Sequence, residues 1–159
     1  MTDININEIE IKDAELKDLP LIAEGARDFL KETRINQIFD YDPNSFIRFL
    51  QYSLYVESSA LWMAKHNGLS VGALLVVSFP SIFNDDQLIG DILFVDVLPE
   101  YRRCGIAKKL FEKLDIWAEE KNIHVLSFHL EHPEIIKGME RLGFKQIETR
   151  MMKKLTGVD

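Results

Sequence analysis

"LFVDVLPEYRRCGIAKKLFEKL" (Leu93–Leu114) joins two periodicities across a proline. Up to Leu98 the run is apolar and rich in β-branched residues, as a buried strand would be. From Ile106 onward Ile106, Leu110, Leu114 and Trp117 fall on one helical stripe. Between the two stand Pro99, Arg102, Arg103 and the small residues Gly105 and Ala107. The first turn of a helix carries unpaired N–H groups and the positive end of the helix dipole, a ready anion site. Gly105 and Ala107 leave room for an anion to reach that backbone, and Arg102, Arg103 and Lys108 add charge beside it. The stretch therefore reads as a diphosphate cradle at a strand–helix junction. Neither a Gly-x-x-x-x-Gly-Lys-Ser/Thr run nor a Gly-x-Gly-x-x-Gly run occurs, so two familiar phosphate loops are excluded.

Outward from this junction the chain alternates strand and helix signals. "INEIEIKDA" reads as a first strand. "ELKDLPLIAEGARDFLKET" follows as an amphipathic helix, with Asp13 as its expected N-cap. "DPNSFIRFLQYSLYVES" is a second helix behind an Asp-Pro-Asn start. "ALWMAKH" and "LSVGALLVVSF" flank Asn67-Gly68, a strong hairpin signal. A polar loop, "PSIFNDD", separates them from the strand "QLIGDILFVDVL". After the helix that begins at Ile106, "HVLSFHLE" is a strand and "HPEIIKGMERL" a short helix, with Pro133 in its first turn and Gly143 as its C-terminal stop. "FKQIETRMMKKL" supplies closing strand material. The expected architecture is α/β (α+β): a mixed, mostly antiparallel sheet of about six to seven strands with helices on both faces.

Composition bounds the partners. The 159 residues, undivided by repeats or linkers, are expected to form one domain over 1–159. A formal net charge of −7 argues against a general affinity for nucleic acid, although Arg102, Arg103, Lys108 and Lys109 form a local basic patch. The one cysteine, Cys104, has no partner for an internal disulfide. The first residues lack the basic and apolar regions of a signal peptide, and no apolar run approaches the ~20 residues of a membrane span. A soluble cytoplasmic protein is the expectation, with no membrane partner and no metal.

Arg102-x-x-Gly105-x-Ala107, preceded by Val97-x-Pro99-x-x-Arg102, resembles the acetyl-CoA signature of the Gcn5-related N-acetyltransferase (GNAT) superfamily, Gln/Arg-x-x-Gly-x-Gly/Ala. The two N-terminal helices, the Asn-Gly hairpin and "MERLGF" near the end follow that family's order. The resemblance implies the GNAT fold, with a sheet splayed at the acetyl-CoA slot. It also implies an N-acetyltransferase that moves an acetyl group from acetyl-CoA, its cosubstrate, to a primary amine. The backbone of Arg103, Cys104, Gly105, Ile106, Ala107 and Lys108 would seat the pyrophosphate beside Arg102. The edge around Val95 and Val97 would pair with the pantetheine arm as an added strand, and the acyl thioester would lie beside Asp96, Val97 and Leu130. The acceptor would be a small molecule or a protein amine, and the chain a monomer or homodimer.

The chemistry asks for a base to deprotonate the amine and for donors at the thioester carbonyl and thiolate. Many family members place Glu eight residues before the signature proline; Asp91 stands there. Glu131, His129 and His132 in "HLEHP" are alternative bases, histidine because it titrates near neutrality. In a strand His129 and Glu131 share one face, and Phe128 and Leu130 the other. The family commonly has Asn where His132 stands, which also puts His132 in the cofactor-binding set. It has a proton-donating Tyr where this chain has Met139, a side chain that cannot donate. Two rival readings follow: a catalytically weak CoA-binding or regulatory module, and a phage-type nucleic-acid modification protein. Asp85 and Asp86, expected near the acceptor mouth, would favour a cationic amine.

Overall fold

A computed structural model describes residues 4–155. Its elements run β1 (Ile9–Asp13), α1 (Leu19–Lys31), α2 (Pro43–Ser53), β2 (Ser59–His66), β3 (Leu69–Ser81), β4 (Asn84–Val97), α3 (Ile106–Glu120), β5 (Ile123–Phe128) and α4 (Pro133–Arg141). The strands form one sheet in the order β1-β2-β3-β4-β5. Every neighbouring pair is antiparallel except β4 and β5, which run parallel around the α3 crossover.

Local chemistry explains most boundaries. Asn67 (φ 50°) and Gly68 (φ 81°) both adopt the left-handed conformation that a two-residue hairpin requires. Pro43 enters α2 in its first turn, and the Asp42 carboxylate accepts the N–H groups of Asn44 and Ser45. Helix α4 ends in a Schellman motif: Phe144 N–H donates to Met139 O and Gly143 N–H to Glu140 O, with Gly143 at φ 89°. Asp13, the expected cap of α1, instead closes β1. Pro20 fits only a first turn, so α1 starts at Leu19 behind a 3-10 turn in which Asp18 accepts the Glu15 N–H.

Two further expectations change. The loop "PSIFNDD" shrinks to Ile82 and Phe83, because β3 runs through Pro80 to Ser81 and β4 begins at Asn84. The strand count falls from six or seven to five among the described residues, since no strand follows α4. In Phe144–Leu155 each alternate face mixes apolar residues with charge, and Ile147 and Met151 are both 90% exposed. Such a segment has no apolar face to bury against the sheet.

The sheet separates two cores. Helix α3 covers one face, where Leu110, Phe111, Leu114 and Trp117 meet Trp62, Leu74, Val76 and Ile92. Helices α1 and α2 cover the other, where Leu19, Ile22, Ala26 and Leu50 meet Leu61, Met63, Leu75 and Phe94. Among the described residues no helix is long and apolar enough to cross a membrane.

Candidate functional site

The loop between β4 and α3 is shaped by two left-handed residues. Arg103 holds φ 66°, which costs a non-glycine residue roughly 1–2 kcal/mol, and Gly105, the N-cap of α3, holds φ 85°. This curl turns the loop toward the start of α3, where the first-turn N–H groups lack intrahelical acceptors. Gly105 also lies close to the Ile6 side chain, which a Cβ there would meet at 3.4 Å. Arg103 and Lys108 are exposed beside this turn, Ala107 is half-buried, and Cys104 directs its Sγ toward the Arg102 carbonyl. Ile106 is buried in the α3-side core. Lys109, part of the basic patch in the sequence, points inward and donates to Ile9 O at 2.8 Å.

The strand before the loop has an open edge. The β4–β5 ladder ends at the pair Ile92–Phe128, while β4 continues to Val97 beside β3 alone. The β3–β4 register shifts between Leu75 and Val76, leaving Leu93 as the extra residue of a bulge. Leu98 N–H donates to Val71 O. By the two-residue alternation of an antiparallel ladder, Val95 and Val97 therefore turn their backbone groups away from β3, into the gap. Arg102 Nε donates to Val97 O at 3.0 Å, which agrees with that direction. The gap between the β4 and β5 limbs is a slot, open along one edge and leading to the Gly105 loop.

Alternation also sorts the side chains. Ile92, Val95 and Val97 join the α3-side core, as do Leu126, Phe128 and Leu130 of the other limb. Asp91, Asp96, Ser127 and His129 consequently face α1 and α2. There Ser127 Oγ donates to Asp91 Oδ1 at 2.5 Å, and His129 Nε2 lies 4.0 Å from the same oxygen. Met139 is buried in the α3-side core, so the position where the family has Tyr offers no polar group to the slot.

The connection after α1 touches both limbs. The Glu32 carboxylate meets the Arg102 guanidinium at 3.1 and 3.2 Å. Glu32 O accepts from His132 Nε2 at 3.2 Å, and Arg34 N–H donates to Glu131 Oε2 at 2.9 Å. Of the four candidate bases, Asp91 and His129 thus stand where the limbs part, whereas Glu131 and His132 are engaged at the mouth. Asp85 and Asp86 do not border the slot. They start β4, six or seven residues before the split at Ile92, which is about 20 Å of extended chain.

Two residues here escaped sequence reasoning, Ser127 and Glu32; the resemblance places a third, Asp96, beside the acyl thioester. Asp96 is the most perturbed. Its carboxyl sits under α1, where a Cβ on Gly25 would come within 2.9 Å of Oδ2. It lines a cleft of about 250 Å³ with Asp28, Gly25, Leu21 and Phe94, and no residue of the β5 limb lines that cleft. Burial pushes the Asp96 carboxyl up to about 6, against the pull of Arg102, whose guanidinium is 3.9 Å away. The place of Asp96 on the α1 side follows from the alternation Phe94-Val95-Asp96. Nothing in sequence marked Ser127 or Glu32. Among the described residues no group of three His, Cys, Asp or Glu is arranged to hold a metal ion.

A strand edge opened beside a glycine turn at a helix start is the construction that the sequence motif implied, and family comparison agrees. The Acetyltransferase (GNAT) family model matches residues 24–144, more than half of the chain, and the protein belongs to that family. Among curated proteins no sequence matches. Solved structures share the fold at low identity. A possible acetyltransferase from Clostridium difficile 630 is 22% identical, with 93% of this chain and 97% of that one covered and a TM-score of 0.75. A transcriptional regulator from Bacillus halodurans C-125 is 20% identical, with 92% and 99% covered and a TM-score of 0.79. A predicted acetyltransferase from Clostridium acetobutylicum, solved with acetyl-CoA, is 18% identical, with 92% and 96% covered and a TM-score of 0.76.

Proposed function

We propose that the protein is an N-acetyltransferase that moves the acetyl group of acetyl-CoA to a primary amine, by direct attack in a ternary complex. The observation that carries this reading is the continuity of the open Val95–Val97 edge with the Gly105 turn. An amide-bearing arm can lie along the edge as a further strand, while its diphosphate meets the α3 N-terminus. Backbone donors of Arg103 to Lys108 would hold the diphosphate, and exposed Arg103 and Lys108 would add charge. The Clostridium acetobutylicum neighbour, solved with acetyl-CoA, supports this choice of cosubstrate.

The α3 side of the slot is packed with Phe111, Phe128, Met139 and Phe144. The amine therefore has to approach from the α1–α2 side, where Asp91, Ser127 and His129 stand. That face supplies the proton acceptor. The thiolate leaves without a tyrosine beside it, since Met139 occupies that position, and water is its proton source. The same absence favours a second reading, a CoA-binding regulatory module with little turnover.

Thermal shift with acetyl-CoA, followed by CoA-thiol release against spermidine, lysine methyl ester and an aminoglycoside, tests the reading. Stabilisation together with thiol release supports the enzyme. Stabilisation without release supports the regulatory module. No stabilisation by any acyl-CoA removes both.

A further inference from the structure

On the β5 limb one side chain stands at the vertex of the split. Ile92–Phe128 is the last pair of the β4–β5 ladder, and His129 is the next residue on the β5 limb. Because Phe128 and Leu130 pack into the α3-side core, the imidazole is delivered to the acceptor face. Asp91 lies beside it on β4, yet the two groups are presented differently. The Asp91 side chain is 16% exposed and carries the Ser127 hydroxyl on Oδ1, whereas the His129 side chain is 40% exposed. An incoming amine thus meets the imidazole before the carboxylate.

We propose that His129 is the catalytic proton acceptor of the acetyl transfer, with Asp91, fixed by Ser127, as its positioning residue. The proposal rests on the N-acetyltransferase reading and names the proton acceptor within it. The imidazole lone pair takes one proton from the ammonium R–NH3⁺. The freed amine lone pair forms the C–N bond at the thioester carbonyl carbon, and the C–S electron pair leaves on sulfur. The nitrogen then gives a second proton, through water, to the thiolate, and His129 returns the first to solvent. The sum is R–NH3⁺ plus acetyl-S-CoA giving R–NH–CO–CH3, CoA-SH and H⁺. The Asp91 charge lies 4.0 Å from Nε2, where it balances the imidazolium formed in the first step.

The other candidates are committed elsewhere. Glu131 Oε2 holds the Arg34 N–H, and His132 Nε2, facing a carbonyl oxygen, must carry the proton and act as donor. Asp91 on β4 is the charged group beside His129; the other titratable groups of the elements meeting here are Glu131 and His132 on its own limb, and Arg34 and Glu32 on the connection after α1.

The test compares wild type, His129→Gln, His129→Ala and Asp91→Asn by calorimetry with acetyl-CoA and by thiol release. The acceptor probes are spermidine and lysine methyl ester, from about pH 5 to 9, a range spanning histidine's charge change. His129→Gln is expected to lower kcat/KM about 100-fold or more and to flatten its rise toward neutral pH. Acetyl-CoA affinity should stay within about twofold, because the imidazole is outside the diphosphate seat. Free imidazole should restore part of the rate to His129→Ala, which a purely structural histidine would not permit. Asp91→Asn should lose about tenfold and keep the pH-dependent rise. If His129→Gln retains the wild-type rate and profile while Asp91→Asn is inactive, Asp91 is the base and the proposal is overturned. A wild-type chain that does not bind acetyl-CoA, or binds it and releases no thiol above background, overturns the acetyltransferase reading and the proposal with it.

Discussion

The Gly105 loop and the Asp91–Ser127–His129 wall both border the slot, but they are specified in opposite ways. The loop is defined by its backbone: left-handed Arg103 and Gly105, then a helix start whose N–H groups are free. The wall is defined by side chains that two parallel strands bring together across 36 residues of sequence, from Asp91 to Ser127. A backbone device restricts which residue types can stand at each position. A side-chain device restricts only which way each residue faces. Under the proposed function the first would discriminate ligands by charge and shape at the diphosphate and the second would control protons, so substitutions in the two regions should separate binding from rate.

The sharpest break in the comparison is Gly105→Val. A β-branched residue at φ 85° is strained by roughly 1–2 kcal/mol or more, and its side chain would crowd Ile6 and the approach to the α3 N-terminus. Acetyl-CoA affinity should fall at least about 100-fold, on the scale of tenfold per ~1.4 kcal/mol. Calorimetry on the folded variant checks it. Affinity within about threefold of wild type would show that the turn is not the diphosphate seat.

Asp96 lies on β4 between the two regions, and its burial makes a prediction about stability. Its carboxyl is raised to about 6 in the fold from an ordinary 3.8, so the native state holds this proton more tightly than the unfolded chain. The resulting stability is fully present below about pH 4 and is lost as pH rises toward about 6. Asp96→Asn removes that slope. It should be more stable than wild type at pH 7 by about 3 kcal/mol, and the two should converge near pH 4. Denaturant unfolding at several pH values gives the difference. An equal gap at both ends would assign the effect to packing against Gly25.

The same contrast explains how much was legible in advance. The turn in Arg102-x-x-Gly105-x-Ala107 could be read because a positive φ favours glycine at Gly105. The Asn67-Gly68 hairpin, the Asp42 cap and the Gly143 stop were legible for the same local reason. Asp91 and Ser127 are ordinary strand residues, His129 directly follows β5, and only the parallel register of β4 with β5 brings them together. That register depends on the α3 crossover, whose geometry no short window contains. The closing segment does not pair with the sheet, because neither face of Phe144–Leu155 is consistently apolar. Arg102 shows a subtler shift. Its side chain turns to the Glu32 carboxylate and to Val97 O, so its charge is shared with the connection after α1.

That sharing sets the smallest prediction. The Arg102–Glu32 pair is 42% and 48% exposed, which limits it to about 0.2–1 kcal/mol. Its position matters more than its strength: it ties the β4 limb to a segment whose backbone also holds His132 and Glu131 on the β5 limb. Glu32→Ala removes the ion pair and leaves both backbone contacts in place. The amine KM should rise no more than about threefold at low salt, with kcat unchanged, and the difference should fade by about 1 M salt as screening shortens to ~3 Å. A larger, salt-independent rise would make Glu32 a contact of the amine itself rather than a tie between the limbs. An effect confined to acetyl-CoA affinity would instead return Arg102 to the diphosphate side, where its place in the sequence motif first put it.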